Sequence, residues 1–222
     1  SSDLLAGVQR VHTDSDPIAA VDLHVPVMSL PALLGAPLGE LPAARAQYLY
    51  ADRDNCRRWH DRLGPQRQAR IGIMWSGGRQ AKLRDRSIAL AEFSLLLDRD
   101  FEFISLAKEV LGEDVAALAA LPEIRHFGAE QSSLDDAASL ITLVDLVVTI
   151  DTSIAHLAGA LHKPTWVLLA HDADWRWLEG TDRSPWYDSV RLFRQGADQR
   201  LEPVLRRVKR EMLALTGKLW VK

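Results

Sequence analysis

The sequence has few of the features that mark secreted, zinc-stabilised or membrane-spanning proteins. Cys56 is the only cysteine among 222 residues, which excludes an internal disulfide and favours a reducing compartment. Without a second cysteine a structural zinc site is not expected, and we predict no metal. No run approaches ~18 apolar residues and no signal-peptide pattern is present, so we expect a cytoplasmic protein without a transmembrane segment. The chain begins Ser-Ser-Asp without a methionine, which is typical of a processed or shortened chain.

The commonest nucleic-acid and nucleotide signals are also missing. The formal net charge is −3 and no long basic block occurs, so we do not expect nucleic acid as a partner. The phosphate-binding pattern GxxxxGK[ST] and the dinucleotide pattern GxGxxG are both absent. A hydride-transferring Rossmann enzyme is therefore disfavoured, and we predict no cofactor.

The stretch that is most informative runs from Val144 to Ala170. Asp145–Ile150 is a short, β-branched apolar run that predicts a strand buried on both faces, and Thr165–Leu169 predicts the next strand. The small-residue helix between them is expected to end at Lys163-Pro164. A unit this compact requires two parallel strands with a right-handed crossover. The helix then begins at the carboxyl edge of the sheet, where free N–H groups and the helix dipole favour an anion.

Four polar side chains surround the expected start of that helix. Asp151, Thr152 and Ser153 are all of the type that caps a helix, and His156 lies one turn further on. One interpretation is an anion-binding site. The other is that Asp151 and Thr152 only cap the helix and that His156 is a packed or exposed bystander. The residues alone leave both open.

From residue 69 onwards strands and helices are expected to alternate, which predicts an α/β fold with a doubly wound parallel sheet. Ligands bind such sheets beyond the carboxyl ends of the strands, which here carry Ser76-Gly77-Gly78, Lys108 and Asp151-Thr152-Ser153. The further predicted strands are Arg70–Trp75, Phe101–Leu106, Ile124–Phe127 and Val190–Phe193, and the further predicted helices are Leu90–Leu97, Val115–Leu121, Leu134–Leu143 and Leu201–Leu215.

Residues 1–66 differ from the rest. Val8–Val11 and Ala20–Val27 are possible strands and Arg53–Leu63 a polar helix, separated by a segment rich in proline and glycine. Two strands and one helix cannot bury a core, so we expect this part to pack on the next domain. We predict a boundary between residues 1–66 and 67–222.

The loop Arg79–Ser87 is basic, with Arg79, Lys82, Arg84 and Arg86 around one aspartate. A solvated charged loop is the usual meaning of such a cluster. The functional alternative is a basic lid that closes over phosphates, for which arginine offers two parallel donors.

Several blocks of the sequence resemble a known family. IGIMWSGG, DRSIAL, SLAKE, DLVVTIDTSIAHLAGALHKPTWVLL and DWRWLEGTDRSPWYDSVRLFRQ occur in the order found in bacterial glycosyltransferase-like proteins that often carry tetratricopeptide repeats. More distantly, the chain resembles the nucleotide-binding half of the heptosyltransferases, glycosyltransferase family 9. HVPVMSLPALLG is similar to the end of the acceptor-side domain of the repeat-linked group, and the similarity spans about residues 20–196.

The resemblance implies a GT-B fold, in which two Rossmann-like domains face each other across a cleft. This chain would be the C-terminal, donor-binding half with a remnant of the N-terminal domain. Carried over by position, Asp151, Thr152, Ser153 and His156 would line the diphosphate and ribose of a nucleotide-sugar donor. Arg86 stands where heptosyltransferases place a lysine that faces the diphosphate, and Lys108 resembles a lysine near the nucleotide. Trp75, Ser76 and Gly77 would form the loop under the donor.

Two departures from the family pattern concern catalysis and loop geometry. Ala89 stands where the family usually has proline, and the domain that supplies the catalytic carboxylate in heptosyltransferases is mostly absent. Asp22 and His24 are the only nearby candidates for a general base, and neither is assigned. The catalytic residues therefore stay unknown.

The segment Trp175–Trp186 holds three of the seven tryptophans. It could stack on a base or a sugar. Alternatively, it is an aromatic loop packed on the last helix, with Arg176 paired to Asp182–Ser184.

Three functional hypotheses follow. The first is a metal-independent, inverting glycosyltransferase whose partners are a nucleotide-sugar donor and a sugar, lipid or protein acceptor. The second is a non-catalytic nucleotide-binding or scaffold module, accessory to tetratricopeptide repeats. The third is an unrelated Rossmann-like enzyme with another phosphate ligand.

Overall fold

The computed structural model of the chain describes residues 26, 29–33, 35, 46–77 and 87–215. The strands are β1 Ala69–Met74, β2 Phe101–Ser105, β3 Ile124–His126, β4 Leu146–Ile150, β5 Thr165–Leu169 and β6 Val190–Arg194. The α-helices are α1 Leu30–Leu33, α2 Arg53–Leu63, α3 Leu90–Phe93, α4 Asp114–Ala119, α5 Leu134–Thr142, α6 Ser153–Ala160 and α7 Glu202–Leu213, and short 3-10 turns span Ser94–Leu96, Gly128–Glu130 and Trp175–Trp177.

The six strands form one sheet in the order β3-β2-β1-β4-β5-β6, and every neighbouring pair is parallel. Gly72 of β1 lies between Ile104 of β2 and Val147 of β4. Each parallel connection requires a crossover, so the helices must lie on the two faces of the sheet. The predicted doubly wound α/β fold is confirmed.

Side chains from alternate strand positions fill two cores. Ile71, Ile73 and Val148 point to the face covered by α3 and α7, where Phe93 and Val208 are fully buried. Val147 and Ile104 point to the opposite face, which is covered by α2, α5 and α6. A third group, around Val167 and Leu192, continues that second face towards β6.

Helix α2 has the predicted bounds and packs on α5, as expected for a segment without a core of its own. Asp136 of α5 is buried and accepts hydrogen bonds from the Trp59 Nε1–H at 2.9 Å and from the Ser132 and Ser133 N–H groups at 2.7 and 2.9 Å. Arg58 pairs with the same carboxylate. Helix α2 is therefore held by apolar burial of Trp59 and by one buried carboxylate.

Two arginines on strands β1 and β3 contact the carboxyl end of α2. Arg70 on β1 is buried and donates to Glu102 at 2.7 Å and to the Gly64 carbonyl at 2.7 Å. Arg125 on β3 donates to the Leu63 carbonyl at 2.9 Å and also pairs with Glu102. These arginines satisfy carbonyls at the carboxyl end of α2, where positive charge is favoured.

Two predicted helices are shorter than the sequence pattern suggested. Leu90–Leu97 divides into α3 and a 3-10 turn at Ser94–Leu96, and Val115–Leu121 is replaced by Asp114–Ala119. The other elements of residues 69–215 agree with their predicted bounds to within about one or two residues, the usual uncertainty of element ends. The predicted strand Val8–Val11 lies outside the described residues, as does most of Ala20–Val27. The boundary between 1–66 and 67–222 stays a prediction.

Candidate functional site

The strand order reverses direction between β1 and β4. From β1 the chain continues to β2 and β3 on one side, and from β4 it continues to β5 and β6 on the other. The segment after β1 leads to α3 on one face, while the segment after β4 leads to α6 on the opposite face. Diverging connections leave a crevice at the carboxyl edge, the position at which doubly wound sheets bind ligands.

The loop after β1 is closed at its base by two hydrogen bonds, and a third anchors Trp75 to Asp114. The Trp75 carbonyl accepts from the Ile88 N–H at 2.9 Å, and the Gly77 N–H donates to the Ser87 hydroxyl at 3.0 Å. Trp75 is fully buried, and its Nε1–H donates to Asp114 at 2.9 Å. The predicted loop residues Ser76 and Gly77 therefore lie directly after β1, the strand next to β4, and contact the segment at Ser87 where the chain returns.

Residues 78–86, which include Gly78 and Arg86, lie outside the described residues. The predicted lid and the role of Arg86 stay predictions. Asp22 and His24, the unassigned candidates for a general base, lie outside them as well.

The loop after β4 ends in a capped helix. Thr152 is the N-cap of α6, and its hydroxyl accepts a hydrogen bond from the Ile154 N–H at 3.3 Å. Asp151 and Thr152 are both buried, whereas Ser153 is exposed. Within the described residues the Ser153 N–H has no acceptor. The capping interpretation is thus correct for Thr152, and the Ser153 N–H is not used by this cap.

His156 is held on two sides. Its ring stacks on Trp177 with 5.1 Å between ring centroids and 14° between planes, and its Nδ1 lies 3.2 Å from the Tyr187 hydroxyl. Burial lowers the pKa of His156; Asp151 and Asp174 oppose this shift, while Arg176 adds to it. The imidazole is therefore neutral near pH 7 and firmly placed one turn into α6.

The aromatic segment packs on α6 and β5. Stacking of this segment on a base or a sugar stays a prediction. Trp177 is fully buried against Ala155 of α6 and Val167 of β5, so the prediction that the loop packs on the last helix was wrong. Sheet geometry explains the difference, because odd positions of β5 face α6 and even positions face α7. Trp175 remains half exposed and meets Trp186 edge-on, with 6.3 Å between ring centroids.

The expected pairing of Arg176 with Asp182–Ser184 was also wrong. Arg176 donates to Asp174 at 2.8 Å, two residues away, and Asp182 lies 3.5 Å from Arg191. A short local pair forms because Asp174 also caps the 3-10 turn, accepting from the Arg176 N–H at 3.1 Å. Trp177, Tyr187 and Asp174 thus surround His156, a role that sequence reasoning missed. The cluster of aromatic residues after β5 indicated a packed segment, but no local signal in it showed which helix the segment would contact.

Lys108 is exposed beyond β2, one strand further from β4 than the loop after β1. Its carbonyl oxygen would lie only 2.2 Å from a Cβ on Gly128, so the chain segments after β2 and β3 are in close contact. The structure therefore brings Ser76 and Gly77 next to Asp151–Ser153 on adjacent strand ends, while Lys108 lies to one side.

A cleft of about 210 Å³ opens on the α3 side of this edge. Glu92 and Gln195 contribute polar groups to it, and neither was expected from the sequence. The other lining residues are Ser87, Ile88, Ile150, Leu168, Leu169, Ala170 and Leu201. Among residues 46–77 and 87–215, no group of three or more His, Cys, Asp or Glu side chains is arranged to hold a metal ion.

Comparison with known proteins finds a family model that matches part of the chain and solved structures that share its fold. Residues 125–206 match the model of glycosyltransferase family 9 (heptosyltransferase), a segment that runs from β3 to the middle of α7 and includes the loop after β4. The chain is also 39% identical over 92 residues to protein FlbA of Caulobacter vibrioides, a match that covers 41% of this chain and 14% of FlbA.

Two solved structures from Escherichia coli share the fold. ADP-heptose LPS heptosyltransferase II is 19% identical with a TM-score of 0.53, covering 81% of this chain and 56% of that protein. Heptosyltransferase WaaC with ADP is 14% identical with a TM-score of 0.51, covering 72% and 48%. The chain thus has a Rossmann-like fold of the heptosyltransferase, GT-B type, and it spans about half the length of these structures and a small part of FlbA. None of the described helices is long and apolar enough to cross a membrane.

Proposed function

We propose that this chain is the donor-binding half of a GT-B glycosyltransferase, which binds a nucleoside-diphosphate sugar and serves transfer of the sugar to a hydroxyl acceptor. The observation that carries the proposal is the position of the α6 amino end. It opens at the crevice between β1 and β4, within the segment that matches the glycosyltransferase family 9 model. A helix amino end at such a crevice offers N–H groups and a positive dipole end to a diphosphate.

The described residues have distinct parts in this proposal. The N–H of Ser153, an exposed residue, and the neutral His156 offer hydrogen bonds to phosphate oxygens, and Ser76-Gly77 lets the donor approach the backbone closely. As the resemblance implies, Arg86 supplies positive charge to the departing nucleoside diphosphate. Lys108, one strand further along the same edge, adds longer-range positive charge. Charge stabilisation of this kind permits inverting transfer without a metal ion. A carboxylate that deprotonates the acceptor hydroxyl belongs to the acceptor-side domain, so this chain is an incomplete catalytic unit.

The first experiment titrates the chain with ADP, UDP, GDP and CDP and with NAD and NADP, following tryptophan fluorescence and heat. The proposal predicts saturable binding of at least one nucleoside diphosphate and no tighter binding of a dinucleotide. Tight NAD or NADP binding without any nucleoside diphosphate would favour the unrelated Rossmann-like enzyme instead.

A matched pair of histidine variants locates the binding. His156 lies near the amino end of α6, whereas the exposed His162 follows its carboxyl end with φ 53°. We expect His156→Asn to weaken nucleoside-diphosphate binding about tenfold, the loss of one hydrogen bond of ~1.4 kcal/mol, and His162→Asn to leave it unchanged. Equal effects of the two variants would place the ligand elsewhere.

Turnover is tested on the full-length protein. Release of nucleoside diphosphate from a bound nucleotide-sugar, with or without an added acceptor, supports the glycosyltransferase. Binding without turnover in the full-length protein supports the alternative, a non-catalytic nucleotide-binding module accessory to tetratricopeptide repeats.

A further inference from the structure

Contacts with two aromatic side chains hold the imidazole ring of His156 in one orientation. Trp177 is fully buried and stacks on one face of the imidazole. Tyr187 is 8% exposed, and its hydroxyl lies 3.2 Å from Nδ1. Both aromatic side chains come from the segment between β5 and β6, so that segment fixes both the rotamer and the hydrogen bonding of a residue on α6.

The contact between the Tyr187 hydroxyl and Nδ1 selects one tautomer. Burial raises the pKa of Tyr187 well above its ordinary value, and a hydrogen bond with Tyr48 raises it further, so the phenol keeps its proton. The imidazole is neutral and carries one proton, on Nδ1 or on Nε2, according to the hydrogen bond that the other nitrogen makes. Tyr48 is a second hydrogen-bond partner of the Tyr187 hydroxyl. A phenol is a more acidic donor than a neutral imidazole, and an imidazole nitrogen is a stronger acceptor than a phenol oxygen, so the geometry favours an O–H that donates to Nδ1 and a ring proton on Nε2. Within the described residues Nε2 has no hydrogen-bond partner.

We propose that Tyr187 is a positioning residue whose hydroxyl holds His156 in the Nε2–H tautomer, so that the ring donates a hydrogen bond to a phosphate oxygen of the nucleotide. This inference rests on the proposed function. A neutral imidazole held in this tautomer donates its hydrogen bond at any pH above the pKa of His156, because the ring does not need a second proton to donate. The charged groups that face the ring are Asp151, Asp174 and Arg176, and their effects partly oppose one another.

The test uses nitrogen-15 NMR of the whole chain, with the His156 signals assigned through His156→Asn. Tyr187→Phe removes the hydroxyl and keeps the ring, while Tyr48→Phe is the comparison variant, because it removes the other hydrogen-bond partner of the Tyr187 hydroxyl and keeps the contact with Nδ1. We expect the wild-type protein and Tyr48→Phe to show the Nε2–H tautomer. Tyr187→Phe is expected to show a mixture of tautomers, a changed midpoint in the pH titration of His156 and three- to tenfold weaker nucleoside-diphosphate binding.

Two outcomes would overturn this proposal, and a third would overturn the proposed function. An Nδ1–H tautomer in the wild-type protein would overturn the proposal even if Tyr187→Phe failed to fold. An unchanged tautomer in a folded Tyr187→Phe variant would also overturn it, because a purely structural phenol would behave in that way. The Nε2–H tautomer together with no binding of any nucleoside diphosphate would overturn the proposed function, and with it the phosphate contact, while the hydrogen bond from Tyr187 would stand.

Discussion

Tyr187 packs directly on Gly159 of α6, so closely that a Cβ at residue 159 would lie 2.5 Å from the ring. Glycine is normally a poor residue for a helix interior, and replacing it with alanine stabilises an unconstrained helix by ~0.5–1 kcal/mol. Here the absence of a side chain lets the tyrosine approach α6, and so reach His156 with its hydroxyl.

Gly159→Ala should therefore destabilise the protein, although helix propensity alone would predict that alanine stabilises it. We expect a loss of about 1–3 kcal/mol in the free energy of unfolding, typical of overpacking in a core. The measurement is urea denaturation, with Gly196→Ala as control, since a Cβ there meets only the Asp198 side chain at 3.3 Å. A gain in stability at residue 159 would show that Tyr187 does not pack as described.

Asp136→Asn should loosen α2 from α5. The carboxylate is buried, and the variant loses the charge that Arg58, Trp59 and two N–H groups stabilise, so we expect a loss of ~3 kcal/mol. The control is Asp54→Asn, which breaks an exposed pair with Arg57 and should cost less than ~0.5 kcal/mol.

The same carboxylate predicts a pH dependence. Burial opposes ionisation of Asp136, but hydrogen bonds from Trp59, Ser133 and Ser132 outweigh it and hold its pKa well below the ordinary value. A depressed folded-state pKa gives stability that is complete above the unfolded pKa of about 3.9 and is lost as the pH falls below it. Urea denaturation between pH 6 and pH 2.5 should show a steeper acid loss in the wild-type protein than in Asp136→Asn. Parallel curves would contradict the assignment.

Ala89→Pro, which introduces the residue that is usual in the family that the chain resembles, should be tolerated. Ala89 has φ −60°, which proline requires, and its N–H has no acceptor within the described residues. We expect unchanged or slightly higher stability, by ~0.4–1 kcal/mol, from the restricted unfolded chain. Glu92→Pro is the contrasting variant, because its N–H donates to the Ala89 carbonyl at 3.0 Å and the bond would be lost. Equal destabilisation by both would mean that the loop after β1 leaves no room for a proline ring.

Arg86→Ala tests the basic loop, whose role rests on the sequence. If Arg86 contacts the diphosphate, its loss should weaken binding by about 1.5–3 kcal/mol, the range for a hydrogen bond to a charged group. Arg84→Ala in the same loop is the matched control and should have a much smaller effect. Isothermal titration with the best nucleoside diphosphate decides the matter, and unchanged affinity in Arg86→Ala would remove that residue from the site.

The sequence predicted the sheet well because strands buried on both faces are continuous apolar runs, as in Leu146–Ile150 and Thr165–Leu169. The cap at Thr152 was predictable for a local reason, since a hydroxyl before a helix satisfies a free N–H. The environment of His156 was not predictable. Odd and even residues of β5 point to opposite faces of the sheet. No local sequence pattern shows on which of these two faces a loop residue such as Trp177 packs.

The central claim, that a diphosphate binds at the amino end of α6, is tested most directly by a crystal structure of the chain with the best-binding nucleoside diphosphate. The account predicts phosphate oxygens within hydrogen-bond distance of the Ser153 N–H and of His156 Nε2, in the crevice between β1 and β4. A diphosphate bound instead in the arginine-lined cleft at Arg194, Arg200 and Arg207, with the amino end of α6 left uncontacted, would contradict it.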